Sequence, residues 1–193
     1  MAPPVRTQRY LLELLRAWRT YQVAYRAAFH FDAVAALRRS RASVMVAAGR
    51  VKAGDAAALV TVGHTGAAVV AAHAVFGMLE GVDRPALAPV VPTKRGSAVL
   101  LDAGATLECR PQHLMQFGIL GSAYARLVLG IEQPRVGLLS IGEEESKGTE
   151  LTREAHRLMR QAPLCFVGNV EARGFFAGDA DVVVADGFTG NVA

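Results

Sequence analysis

Two rhythms of apolar and polar positions run through the chain. Residues 7–29 place Leu11, Leu14, Leu15, Trp18, Tyr25 and Phe29 at helical spacing, with Arg9, Arg16, Arg19 and Arg26 off that stripe. That spacing predicts an amphipathic helix that docks on a core or on a partner subunit. A basic membrane-surface helix and an Arg-rich targeting peptide are the alternative readings of the same stripe. From residue 43 onward, helical stretches alternate with short apolar runs. Helices are expected over 43–53, from 66 to about 79, over 111–129 and over 149–160. Pro111 opens the third of these, where its missing N–H does no harm. Strands are expected over 57–62, 86–91, 98–101, 135–141, 164–167 and 181–185. Short runs of Val, Leu and Ala between helices indicate an α/β fold, with a mostly parallel sheet covered on both faces.

Composition narrows the class. The chain has 193 residues, 52% hydrophobic and 20% charged, enough for one domain with a sizeable core and unlike a disordered segment. The net charge of +4 is unevenly spread. Residues 1–50 hold nine arginines against Glu13 and Asp32, a balance of +7, while the remainder holds 12 basic and 15 acidic residues. The body therefore lacks the basic face interleaved with aromatics that nucleic acid requires. Cys109 and Cys165 offer neither zinc spacing nor a disulfide framework, and a reducing compartment is expected. The most apolar region, residues 56–79, is interrupted at residues 63–66, and its uninterrupted parts are too short to span a bilayer. No secretory leader is visible.

In a sheet of this kind, ligands bind beyond the carboxyl ends of the strands. The segments that follow the expected strands are Gly63-His64-Thr65-Gly66, Pro92-Thr93-Lys94-Arg95-Gly96, Asp102-Ala103-Gly104, the charged stretch GEEESKG at 142–148, Gly168-Asn169-Val170-Glu171-Ala172-Arg173, and Asp186-Gly187-Phe188-Thr189-Gly190-Asn191. Each combines glycine with polar or charged groups, which suits close backbone approach to an anion. Gly63–Gly66 resembles a phosphate or carboxylate cradle, and Thr65 equally suits a helix cap. Lys94, Lys147 and Arg173 come from separate loops. Converging, they would hold an oxyanion; apart, each is an ordinary solvated charge. His64 is a candidate acid or base, or a polar loop residue bonded to backbone. His73 reads as a core histidine. His30, His113 and His156 lack metal-ligand spacing, and no metal or cofactor is expected. Glu143, Glu144 and Glu145 could bind a divalent metal or orient a lysine, Lys147 being nearest in sequence; their ordinary role is charge that favours the start of the helix that follows. The chain contains no GxGxxG fingerprint, no Walker A and no Gly-x-Ser-x-Gly elbow.

Three blocks carry a resemblance: RPALAPVVPTKRGSAVLLDAGA, QFGILGSAYARLVLGIEQPRVGLLSIGEEESKGTEL and FVGNVEARGFFAGDADVVVADGFTGNV. In order and spacing they resemble the bacterial phosphate acyltransferases of phospholipid synthesis, the PlsX family, from about residue 31 to 192. The resemblance implies a three-layer α/β/α Rossmann-like fold, similar to phosphotransacetylases and isopropylmalate-type dehydrogenases and here incomplete at both ends. Residues 1–30 stand outside it, and 31–193 form the partial acyltransferase domain. It also implies transfer of a fatty acyl group from acyl-ACP to inorganic phosphate by a cytoplasmic homodimer that rests peripherally on the membrane.

On that basis Lys147 and Arg173 are expected to hold phosphate and developing charge, and Ser146, Asn169 and Asn191 to orient it. Asp186 would position a cation or act as a base. Lys94, Glu171, Gly187 and the Gly63-His64-Thr65-Gly66 loop complete the binding set. Departures from the family pattern are His64 in a Gly-Asn-Thr-Gly loop, Ser140 for an asparagine, and Gly174 for an aspartate. The absent family opening and second half suggest a fragment or paralogue, so the alternative is a non-catalytic piece that binds ACP, phosphate or a partner subunit. A nucleotide binder by fold kinship is the weakest reading, since fold alone does not carry function.

Overall fold

The computed structural model describes residues 44–61 and 65–193. The expected 7–29 helix, Gly63 and His64 lie outside the described residues. The chain divides into two compact units, residues 1–77 and 78–193. In the first, α1 (Val44–Ala53) and α2 (Thr65–Phe76) pack together, and the Lys52 ammonium donates to the Val75 carbonyl near the end of α2. Of the strand expected over 57–62, the described residues 57–61 are irregular. The run is apolar, but it has no ladder partner among the described residues, and apolarity without a partner does not make a strand.

The second unit holds a five-stranded sheet in the order β1-β2-β5-β3-β4. Its strands are β1 (Val90–Thr93), β2 (Gly96–Leu101), β3 (Arg135–Leu139), β4 (Cys165–Val170) and β5 (Val182–Val184). Three pairings are parallel, and β1 with β2 is antiparallel. The β1 ladder starts at Val90 rather than 86. Pro85 and Pro89 lack the N–H that a ladder needs. The chain ahead of β1 instead meets the end of β2 by isolated bonds, Leu100 N–H to the Pro89 carbonyl at 3.1 Å and Ala103 N–H to the Leu87 carbonyl at 3.0 Å.

Alternation along the strands divides the core. Val99, Leu101, Val136, Leu138, Val182 and Val184 face one side, because successive side chains on a strand point to opposite faces. There they meet Leu114 and Phe117 of α3 (Pro111–Tyr124), Ala125 of the π-helical turn Ala125–Leu129, and Ala155 and Met159 of α4 (Glu150–Gln161). Ala98, Leu100, Leu139, Val170 and Val183 face the other side, against Phe175 of α5 (Ala172–Ala177). The predicted α/β layering is therefore present. The helices α5 and α6 (Gly187–Val192) are too short for their periodicity to stand out in the sequence.

At the amino edge of the sheet, Arg135 and Asp181 lock β3 to the segment entering β5. The guanidinium donates to both Asp181 oxygens, at 3.0 and 2.8 Å, and the Arg135 N–H donates to the same carboxylate at 2.8 Å. Burial pushes the Asp181 pKa up, but the Arg135 bonds outweigh it and leave the pKa below its ordinary value. Paired forks of this kind are among the stronger charged contacts.

Candidate functional site

The strand order fixes where a crevice opens. From β3 the chain passes through α4 outward to β4. From β5, which lies between β2 and β3, it passes into α6 beside the end of β2. The paths diverge beyond the carboxyl ends of β3 and β5, and in open α/β sheets that divergence is where ligands sit. The Ser140–Gly148 loop flanks one side, and α6 with the Asp102 loop flanks the other.

The α6 side is built around a buried carboxylate. Asp102 has no exposed surface. Its Oδ1 accepts the backbone N–H groups of Leu87, Gly104 and Ala105 at 2.7, 3.1 and 2.9 Å, and its Oδ2 accepts that of Thr106 at 2.6 Å. Four backbone donors on one carboxylate hold the loop after β2 in a single conformation. Helix α6 sits on that loop through two glycines. A Cβ on Gly187 would lie 2.5 Å from the Thr106 carbonyl oxygen, and one on Gly190 would lie 2.1 Å from that of Asp102. Only a bare backbone reaches so close. Asn191, at the end of α6, donates its side-chain amide to the Ala103 carbonyl at 3.3 Å.

Asp186 caps α6. Its carboxylate accepts the N–H groups of Phe188 and Thr189 at 3.0 and 2.9 Å and the Thr189 hydroxyl at 2.6 Å. That is an N-cap's work, and it occupies much of the acceptor capacity foreseen for a cation or a substrate proton. Cys109 lies close by, its Sγ donating to the Thr106 carbonyl at 3.3 Å. Burial, with smaller raising effects of Asp102 and Asp186 and against the lowering effect of a Gly187 backbone bond, pushes this thiol up to about 11. It stays a thiol at neutral pH and is no ready nucleophile.

The β3 side carries the GEEESKG stretch. Thr149 caps α4 by accepting the Thr152 N–H at 3.2 Å. Gly148 ahead of it has φ +94°, and a Cβ there would lie 2.2 Å from the Thr152 hydroxyl. The Lys147 N–H donates to the Glu144 carbonyl at 3.0 Å. Its side chain is exposed and makes no ion pair among the described residues. The sequence reading had the glutamates orienting Lys147, and the structure corrects it. Glu145 pairs with Arg160 at 2.9 Å instead, 4.0 Å from His156 Nε2. Ser146 is exposed. Ser140 keeps a buried hydroxyl without a hydrogen-bond partner among the described residues.

Asn169, expected to face substrate, is 6% exposed and turns its amide inward. It donates to the Glu144 carbonyl at 2.8 Å and faces His156 Nδ1 at 2.9 Å. At the start of α5, Arg173 pairs with Glu171 at 2.9 Å while remaining 81% exposed. Of the sequence-predicted residues, Ser146, Lys147, Asn169, Glu171, Arg173, Asp186, Gly187 and Asn191 all lie at the carboxyl rim.

Lys94 does not lie there. Because β1 runs antiparallel, its turn into β2 sits at the opposite edge. The Lys94 N–H donates to the Phe176 carbonyl at 3.0 Å, and Arg95 approaches Asp179 at 3.8 Å, ahead of β5. Thr65 and Gly66 form the first turn of α2 in the first unit. Sequence reasoning passed over Asp102 and His156 as site residues. His156 falls on the same helical stripe as Ala155 and Met159, and a histidine on a buried stripe needs a polar partner.

An open, mostly parallel sheet with helices on both faces defines an α/β, Rossmann-like fold. The EutD phosphotransacetylase from Staphylococcus aureus matches it with a TM-score of 0.57 at 21% identity, over 77% of this chain and 52% of that one. Residues 27–193 match the model of a family described as fatty acid synthesis protein, and the chain belongs to that family. Relatives named phosphate acyltransferase include those of Pelotomaculum thermopropionicum, 52% identical over 83% of this chain and 47% of that protein, and of Desulforudis audaxviator, 54% identical over 83% and 48%. A third, from Bacillus cereus, is 50% identical over 81% and 48%. The chain spans about half the length of the curated relatives it matches.

Proposed function

We propose that this chain carries the phosphate-handling rim of a phosphate acyltransferase, which moves a fatty acyl group from acyl-ACP to inorganic phosphate for phospholipid synthesis. The observation that carries the reading is Lys147. It is an exposed cation without an ion pair among the described residues, in a loop with three glutamates, beside the diverging ends of β3 and β5. Such a cation is available to an incoming oxyanion. Phosphate oxygen attacks the thioester carbonyl, the carbonyl oxygen gains negative charge, and the ACP thiolate leaves with the electron pair of the broken C–S bond. Lys147 and Arg173 stabilise phosphate and that charge, Ser146 and Asn191 donate hydrogen bonds, and Asp186 holds α6 in place. Catalysis proceeds by positioning and charge stabilisation, without a covalent enzyme intermediate. The high Cys109 pKa agrees with that.

The same reading includes a homodimer in the cytoplasm, resting peripherally on the membrane. Its support is the family resemblance; among the described residues no helix is long and apolar enough to cross a bilayer. The test is phosphate-dependent release of ACP thiol from a long-chain acyl-ACP by the purified chain. Lys147→Met is expected to lower turnover by about 10²–10³-fold, the scale of removing one oxyanion stabiliser. A near-normal rate overturns the role of Lys147. Absence of phosphate-dependent release from the wild-type chain overturns the activity and leaves the binding-only alternative.

A further inference from the structure

Behind the Lys147 loop lies a chain of buried hydrogen bonds that the proposed chemistry does not use directly. It starts at His156 on α4, passes through Asn169 on β4 and ends on the backbone of the GEEESKG loop. His156 and Asn169 are each 6% exposed. The Glu144 carbonyl receives two donors, the Asn169 amide at 2.8 Å and the Lys147 N–H at 3.0 Å.

The proton positions follow from the acceptors. A carbonyl oxygen can only accept, so the Asn169 atom facing Glu144 is its nitrogen. The Asn169 atom facing His156 Nδ1 at 2.9 Å is then its oxygen, which also only accepts. His156 must therefore carry a proton on Nδ1. The ring is held as well: Phe166 meets it edge-on, with centroids 5.0 Å apart and planes at 79°. Its Nε2 lies 4.0 Å from Glu145, which Arg160 holds at 2.9 Å. Each link has one allowed direction, and together they end on the Glu144 carbonyl, the group that also accepts the Lys147 N–H.

The geometry points to His156 and Asn169 as positioning residues: His156 orients the Asn169 amide, which pins the Glu144 carbonyl and so sets where Lys147 projects from the rim. This assigns to Asn169 a supporting role in place of the substrate contact expected from sequence. It rests on the proposed phosphate role of Lys147 only for its catalytic consequence. The structural part stands independently of turnover.

The experiment is amide hydrogen exchange on the wild-type chain and three variants, paired with phosphate kinetics. His156→Leu keeps an apolar filling but removes the donor and strands the Asn169 oxygen. Exchange at the Lys147 amide should rise about tenfold beyond any global change, the scale of one lost buried hydrogen bond. Amides of Leu138 and Val183 should shift only with global stability. His156→Asn places an amide donor near the former Nδ1 and should restore protection. Asn169→Asp keeps an acceptor toward His156 but loses the donor to Glu144, and it should behave like His156→Leu even if that variant folds poorly.

In kinetics, His156→Leu and Asn169→Asp should lower kcat/KM for phosphate about tenfold, a smaller loss than that of Lys147→Met. Wild-type protection of Lys147 in both variants, after correction for stability, overturns the inference, as does His156→Asn matching His156→Leu. An unchanged kcat/KM for phosphate in both variants overturns the catalytic consequence. If the wild-type chain shows no phosphate-dependent turnover, the activity reading fails, and exchange alone still decides the positioning.

Discussion

Replacing Asp102 by asparagine changes one atom in a buried carboxylate held by four backbone N–H groups. The side chain accepts four backbone N–H groups, three on Oδ1 and one on Oδ2. In Asp102→Asn the amide oxygen can keep the first three, as neutral bonds roughly 1 kcal/mol weaker each than charge-assisted ones. The new NH₂ then points a donor at the Thr106 N–H, where Oδ2 now accepts at 2.6 Å. That bond is lost and a buried donor is stranded, at about 1–3 kcal/mol. Relief from burying a charge returns part of the loss. The expected net cost is about 2–4 kcal/mol, against a total stability on the order of 5–15 kcal/mol. Urea unfolding should show the midpoint falling by about 1–2 M with the slope unchanged, for a slope near 2 kcal/mol/M. Exchange at Gly104, Ala105 and Thr106 should accelerate more than at Leu138. A midpoint within about 0.2 M of the parent would refute the reasoning, because Asp102 would then not be what holds the loop.

Three further outcomes are expected. Gly190→Ala, whose Cβ would meet the Asp102 carbonyl oxygen at 2.1 Å, should cost on the order of 1–3 kcal/mol or more by overpacking and loosen α6; unchanged thermal unfolding and α6 exchange would contradict this seating. Cys109, pushed up from 9.0 to about 11, should be alkylated roughly 100-fold more slowly at pH 8 than an unperturbed thiol, since the thiolate fraction falls by that factor; time-resolved mass spectrometry reads the rate.

His113 is buried, and its Nδ1 accepts the Arg110 N–H at 3.0 Å. Burial first, then Arg84, holds its pKa below the ordinary 6.5. The unfolded chain binds the extra proton first, so the contribution is whole above 6.5 and is lost as pH falls toward the folded pKa. His113→Gln, which can still accept at the third helical position, should flatten this part of the urea-midpoint profile between pH 7 and 5. A profile identical to the parent's would exclude His113 as its source.

Buried strands announced themselves in the sequence. Within the expected strands 135–141 and 181–185, residues 136–139 and 182–185 are apolar without interruption because both faces of β3 and β5 are covered, though the ladders close at Leu139 and Val184. Strand direction was not legible. Nothing in VVPTKRG says that β1 runs against β2, and that single reversal sends Lys94 to the far edge while Lys147 stays at the carboxyl rim. Residue type also failed to separate function from support. Asn169 and Asp186 carry the groups a substrate would want, yet the same groups suit a loop tie and a helix cap, and three-dimensional neighbours alone decide which partners they meet. His156 was discounted for lacking metal spacing, when its place on a buried stripe was the informative signal.

The position of β5 has a consequence for how the protein comes to be folded. It is the last of the five strands in the chain and yet lies between β2 and β3. Until it arrives, the hairpin of β1 and β2 and the β3-α4-β4 unit share no ladder, and two apolar strand edges face water. Val182 must close on Val99 across a long loop, and such closures are slow because their entropy is lost before any contact forms. The interval is when the chain is open to pairing with another copy, since unpaired edges are templates for further strands. Three consecutive valines, a short and strongly strand-forming segment, make that closure as abrupt as three residues can.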